Sequence, residues 1–151
     1  MASRSGKTSA NSHIPLSQLL RRCHQLADDL YAAEAGKGGL TARQHAVLAA
    51  INTHNGASQA SLVDATGIDR STLAEMLSRL IARDYVTRKR LTEDARANAV
   101  RLTPKGLRAI KAMANAASRT EAKLMAAVPA PKRGELIKAL AAIAALSDAK
   151  D

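Results

Sequence analysis

Between Gly67 and Ile81 the chain encodes a tight turn followed by a capped amphipathic helix, and this unit constrains everything around it. Asp69 is a strong helix N-cap, because its carboxylate accepts from the unpaired N–H groups of the first turn and its charge suits the helix dipole. Leu73, Met76, Leu77, Leu80 and Ile81 recur at the i, i+3, i+4, i+7, i+8 spacing that buries one helical face. At about 100° per residue the opposite face carries Ser71, Glu75 and Ser78, flanked by Thr72 and Arg79, with Arg70 in the first turn. Short donors and acceptors, guanidinium groups and a carboxylate suit the base edges of a major groove. Taken alone, an ordinary surface helix with Glu75 and Arg79 paired at i, i+4 has the same pattern.

The neighbouring residues decide between these readings. Ser58 opens a short helix running to Thr66, and Gly67 supplies the permissive backbone for a tight inter-helix turn. Beyond Asp84, Tyr85 to Arg90 alternates β-favouring and basic residues, and Asn98 to Leu102 forms a returning strand. A turn, a capped helix and a ribbon with arginines at its tip make a winged helix-turn-helix, which points to duplex DNA. The predicted fold is all-α with a small β-wing.

Three segments carry a family resemblance: Leu40-Thr41-Ala42-Arg43-Gln44, Asp69-Arg70-Ser71-Thr72-Leu73, and Asp94-x-Arg96 running on to Leu102-Thr103-Pro104-Lys105-Gly106. In this order and spacing they resemble the MarR family of bacterial transcriptional regulators, over roughly residues 16 to 146. The resemblance implies a homodimer whose first and last two helices intertwine. It also implies a wing on which Asp94 braces Arg96 for a minor groove, and a small phenolic or carboxylate effector bound between the dimer helices and the winged unit.

Composition agrees with one compact unit. The 151 residues are 46% apolar yet contain two tyrosines, no phenylalanine and no tryptophan, leaving a core of Ala, Leu, Val, Ile and Met. So few rings exclude the stacking platforms of single-strand and RNA-recognition modules. The net charge of +10 favours a polyanionic partner. No run of about 18 apolar residues suggests a membrane span and no apolar leader precedes the domain, so the expected compartment is the cytoplasm.

Residues 1–13 are polar, Ser-rich and aperiodic, and are expected to be a disordered tail. Residues 14–151 form a single domain: 14–36 and 104–148 are the dimerisation helices and 40–103 the winged helix-turn-helix. The first helix begins near Pro15 and ends at Gly36-Lys37-Gly38-Gly39, with Leu16, Leu19, Leu20, Cys23, Leu26, Ala27 and Leu30 as an apolar stripe. Thr41 and Gln44 make a capping box for a helix that turns Val47, Leu48 and Ile51 inward. Thr103-Pro104 opens a long alanine-rich helix that Pro129-Ala130-Pro131 breaks, and Leu136, Ile137, Leu140, Ile143 and Leu146 mark the last one. Two recognition helices related by a two-fold axis demand a pseudo-palindromic site.

The expected DNA contacts are therefore Arg70, Ser71, Thr72, Glu75 and Arg79 in the major groove and Arg96, braced by Asp94, in the minor groove. Arg88, Arg90 and Arg101, with Lys89, are assigned to phosphate. His45 falls where the family often has an aromatic residue, so it is a candidate for the effector cavity together with Arg21, His24 and Asp28. Cys23 occupies the apolar stripe and reads as a small packing residue, in preference to a redox sensor. A single cysteine excludes an intrachain disulfide, and His13, His24, His45 and His54 have no metal-ligand spacing. No cofactor, metal or catalytic residue is expected. The reading is a sequence-specific regulator, most simply a ligand-released repressor; its alternative is a sequence-nonspecific architectural DNA-binding protein, which the same basic charge permits.

Overall fold

The computed structural model describes residues 14–90 and 98–146. In chain order these form α1 (Leu16–Ala35), α2 (Ala42–Thr53), α3 (Gln59–Thr66), α4 (Arg70–Ala82), β1 (Val86–Arg90), β2 (Asn98–Leu102), α5 (Pro104–Ala126), a 3₁₀ turn (Ala130–Lys132) and α6 (Arg133–Ala144). The caps are those the sequence announces. Thr41 Oγ1 accepts from the Gln44 N–H at 3.1 Å while the Gln44 side chain accepts from the Thr41 N–H at 3.0 Å. Ser58 caps α3, Asp69 caps α4 and Thr103 caps α5, and Gly67 closes α3 in the left-handed conformation, φ 67°. Pro15 stands as the N-cap of α1, just outside the helix.

Leu73, Leu77 and Leu80 of α4 are completely buried against Val47, Leu48 and Ile51 of α2, Leu62 of α3, Val86 of β1 and Val100 of β2. Met76 and Ile81 pack at the edge of this cluster. Each buried aliphatic side chain contributes about 1.5–3 kcal/mol, so the α4 stripe is what seats the helix and turns its other face outward. β1 and β2 pair antiparallel with Val86 opposite Leu102 and Arg90 opposite Asn98. Ala57, just before α3, adds a bridge to Val100, whose N–H donates to the Ala57 carbonyl at 2.9 Å.

The corner from α4 into the wing is tied tightly. Asp84 takes φ 60°, a conformation that a short polar residue tolerates, and Tyr85 N–H donates back to the Leu80 carbonyl at 2.9 Å. Thr103 Oγ1 donates to the Asp84 carbonyl at 2.6 Å and accepts from Gly106 N–H at 3.0 Å. Gly106 is buried directly beneath Tyr85: a Cβ there would stand 2.1 Å from the Tyr85 carbonyl oxygen. Glycine is required by this approach, which gives a physical reason for the Leu102-Thr103-Pro104-Lys105-Gly106 segment.

The first helix corrects the sequence reading at Cys23. Tyr31, which lies off the expected stripe, is the buried residue of α1. Cys23, expected to be packed, is exposed, as are Leu16 and Leu26. The reason is that α1 lies along α5 by one side, where Glu34 pairs with both Arg119 and Lys123; Leu19, Leu20, Ala27 and Leu30 of the stripe are half-buried, and Leu16, Cys23 and Leu26 face out of the chain. α6 rests mainly on the turn before it and leaves Leu136, Ile137, Leu140 and Ile143 open.

Gly106→Ala is expected to destabilise the fold by about 1–3 kcal/mol or more, because the added methyl must displace backbone. Thr103→Ala, which deletes one cap and the Asp84 bond, should cost about 0.5–2 kcal/mol. Urea unfolding of the three proteins checks both, and a Gly106→Ala midpoint equal to wild type would contradict the corner geometry.

Candidate nucleic-acid interface and effector cavities

The leading end of α4 is built outward from its cap. The Thr72 hydroxyl and backbone N–H, followed by the Ser71 hydroxyl, hold the Asp69 carboxyl down at about 2, so it is charged throughout the neutral range. Ser71 Oγ donates to Asp69 Oδ1 at 2.8 Å and Thr72 N–H donates to the same oxygen at 2.9 Å. The Ser71 hydroxyl, expected to read the groove, thus spends its proton on the cap and is left as an acceptor. Arg70 is exposed in the first turn, and its carbonyl accepts from Gln59 Nε2 of α3 at 3.4 Å. One turn further on, Arg79 pairs with Glu75 across i, i+4, both side chains well exposed. Arg70, Ser71, Glu75 and Arg79 are each exposed on α4, with Thr72 half-buried beside Ser71.

Arg88 and Lys89 are exposed on β1. Arg101, assigned to phosphate from the sequence, is half-buried: its Nε is buried without a hydrogen-bond partner, and its guanidinium lies over Gly56, 3.8 Å from where a Cβ would stand. The turn at Gly56 covers it from the side opposite Val100. The side chain of Arg90, together with Asp94 and Arg96, lies outside the described residues.

Three adjoining cavities lie beside this unit, and Asp28 of α1 lines all three. The first, about 570 Å³, opens between α1, the α1–α2 loop, α2 and α4, where Arg43 and Arg79 reach its wall. The second, about 390 Å³, holds His24, Arg43 and the Asp69 cap, with His24 Nε2 3.5 Å from Asp28 Oδ2. The third, about 180 Å³, lies between α1, α2 and α5 and is lined by Tyr31, His45, Thr120 and Glu121. There the rings of Tyr31 and His45 stack with centroids 5.7 Å apart. Burial raises the Tyr31 pKa and lowers that of His45, and the Tyr31 hydroxyl is buried with no hydrogen-bond partner.

Of the four expected effector residues, Asp28, His24 and His45 reach a cavity; Arg21 lines none of the three. Tyr31 and Arg43 were missed. Tyr31 sits next to the leucine stripe instead of in it, and Arg43 reads as a solvated residue of a capping box. The one available signal for Tyr31 was rarity, as one of two aromatic residues in the chain. Among the described residues no three His, Cys, Asp or Glu side chains come together as a metal site.

Residues 38–97 match the model of the MarR family, and the fold superposes on the PcaV transcriptional regulator from Streptomyces coelicolor in complex with its natural ligand. That segment is similar to the MarR family, and the fold is that of MarR-family winged-helix regulators. The PcaV likeness has a TM-score of 0.81 and 27% identity, covering 93% of this chain and 97% of PcaV. A second MarR-fold likeness is to Bordetella bronchiseptica BpsR, whose DNA binding is regulated by 6-hydroxynicotinic acid; its TM-score is 0.78 at 27% identity over 84% of this chain and 96% of BpsR. In sequence the chain is 34% identical over 95 residues to the HTH-type transcriptional repressor NicR of Pseudomonas putida. That match spans 63% of this chain and 60% of the repressor.

The half-buried His45 gives a pH prediction. Its folded pKa lies below the free value of 6.5, so between the two values the unfolded chain binds the extra proton. Stability is therefore full above about pH 6.5 and falls as pH drops through that value. Urea midpoints at pH 7 and pH 5.5 should differ in wild type, and the difference should shrink in His45→Gln; an equal drop in both proteins would assign the effect elsewhere.

Proposed function

We propose that this chain is a MarR-family homodimeric, sequence-specific regulator of transcription that binds a pseudo-palindromic duplex site, most simply as a repressor released by a small molecule. The observation that carries the reading is the open face of α4, with Arg70 in its first turn, set beside an antiparallel ribbon that carries further cations. Arg70 and Arg79 suit guanine edges and Glu75 the cytosine amino group, while Arg88, with Arg90 and Arg101, serves phosphate. Wing-tip Asp94 and Arg96 keep their expected place at the minor groove as part of this proposal. Support for the dimer comes from α1 and α6, whose open leucines and isoleucines need a cover that a second copy supplies. The cavities beside Tyr31, His45 and Asp28 suit a small effector, and BpsR offers 6-hydroxynicotinic acid as the first compound to try. No helix among the described residues is long and apolar enough to cross a membrane. A DNA-binding role places the protein in the cytoplasm with the chromosome.

Footprinting on genomic fragments should reveal a short pseudo-palindrome bound at least about 10³-fold more tightly than random duplex. Equal affinity for random DNA would favour the architectural alternative. Arg70→Ala should relax preference at one position per half-site by about 1–3 kcal/mol, whereas a uniform loss over all sequences would reassign Arg70 to phosphate. With on the order of 6–10 phosphates neutralised, log affinity should fall against log salt with a slope of roughly −5 to −9. Across the same salt range sedimentation should report a dimer, because apolar burial is not screened; a monomer at micromolar concentration would refute the two-fold arrangement.

A further inference from the structure

We propose that Asn55 is a hydrolytic modification site, whose side-chain amide converts to a carboxylate that meets the Arg101 guanidinium and loosens the grip on duplex DNA. Five asparagines occur in the chain, and Asn55 alone is followed by glycine. It stands in the turn between α2 and α3, where the Ala57 N–H donates to the His54 carbonyl at 2.8 Å and Gly56 takes φ 83°. A β-turn with positive φ at its third residue calls for such a glycine. The same turn suits attack by the Gly56 nitrogen on Asn55 Cγ. The Asn55 side chain is exposed, the Gly56 N–H has no acceptor among the described residues, and Gly56 carries no Cβ to obstruct the approach. Asn52 and Asn115 lack this freedom, since the N–H groups that follow them belong to the helical ladders of α2 and α5.

The step balances with water as its co-reactant. The Gly56 nitrogen bonds to Cγ as the Cγ–Nδ2 bond breaks, and ammonia leaves with the proton that the Gly56 N–H gives up. Water then opens the cyclic imide at either carbonyl, giving aspartate or its isomer with an additional main-chain carbon, and a new negative charge in both cases. Arg101 supplies the reason that this charge matters. Its guanidinium stands 3.8 Å from where a Cβ on Gly56 would be, its Nε is buried without a hydrogen-bond partner, and no carboxylate pairs with it among the described residues. Buried donors are otherwise almost always paired, and a guanidinium takes a carboxylate or a phosphate with the same fork of N–H groups. A carboxylate arising one residue from Gly56 therefore competes with DNA phosphate for Arg101. The Val100 N–H, bonded to the Ala57 carbonyl at 2.9 Å, ties the turn to the strand that carries Arg101 and keeps the new charge beside it. The loosening rests on the regulator reading; the hydrolysis does not.

Fragment-resolved mass spectrometry of the full chain held at about pH 8.5 tests the hydrolysis. Asn55 should gain one mass unit and appear as two isomers, more slowly at about pH 6 because the attacking nitrogen must lose its proton. Over the same time Asn52 and Asn115 should stay intact, as should the side chain in Asn55→Gln, which would have to close a larger ring. Persistence of the Asn55 amide, or equal conversion at Asn115, would overturn the site. Binding of a random-sequence duplex tests the consequence. Asn55→Asp should bind about five-fold more weakly than wild type at low salt, with the salt slope reduced by about one per subunit. In the Arg101→Gln background the same exchange should change affinity by less than about two-fold. An undiminished loss in that background would separate the effect from Arg101 and overturn the link, as would an Asn55→Asp affinity equal to wild type. A wild-type chain that binds no duplex would refute the DNA reading and the loosening with it, whereas the fragment masses alone decide whether Asn55 is the modified residue.

Discussion

The relation between the recognition helix and the wing passes through one contact, the seating of Gly106 beneath the Tyr85 carbonyl. Around it the end of α4, the root of β1 and the start of α5 are joined by short polar bonds: Thr103 to Asp84, Tyr85 to Leu80, and Lys105 Nζ to the Arg83 carbonyl at 2.7 Å. The Tyr85 ring lies between the Arg83 guanidinium at 5.0 Å and the Lys105 ammonium at 4.7 Å. A cation at the last carbonyls of α4 complements the helix dipole, so the same side chains hold the corner and stabilise the helix that enters it. Through this knot the start of α5 and the root of the ribbon are tied directly to the end of α4. The far end of α5 is in turn clasped to α1 through Glu34, whose carboxyl is held below its usual range first by the hydrogen bond from Lys123 and then by that from Arg119.

Much of this was legible before any coordinates. Helix starts carry their own chemistry in one or two residues, and so Thr41, Ser58, Asp69 and Thr103 all cap where a reading of side-chain acceptors puts them. The α4 periodicity likewise identifies Leu73, Leu77 and Leu80, since one stripe can face only one core. The α1 stripe misled for the same physical reason: periodicity reports that a face is apolar, not what covers it. Leu16, Cys23 and Leu26 are correctly spaced and yet open, while the buried Tyr31 sits outside the pattern. Arg43, and the partial burial of Arg101, escaped because their surroundings are made by distant segments, α4 and the Gly56 turn, which local sequence does not encode.

The aromatic-poor composition acquires a structural meaning in the cavities. Ala27, Ala42 and Ala117 line the space beside His45, and Ala32, Ala35 and Ala42 line the larger one beside Arg43. Where other chains fill such gaps between helices with rings, these methyl groups stop short and leave volume behind. The polar residues that remain at the walls carry both signs of charge, which favours ligands with distinct ends over uniformly apolar ones.

Asp69 has a consequence for discrimination. A helix N-terminus is ordinarily a ready anion cradle, open to any phosphate that approaches. In α4 that cradle is already filled by the chain's own carboxylate, held ionised at neutral pH by the hydroxyl and backbone N–H of Thr72 and by the Ser71 hydroxyl. The helix end therefore offers no indiscriminate grip on a nucleic-acid backbone and places a fixed negative charge close to one. Such a charge weakens every encounter by a similar amount, and what survives it must be earned by the side chains further along the face. Selectivity in this arrangement begins with a repulsion, built into the same residue that starts the helix.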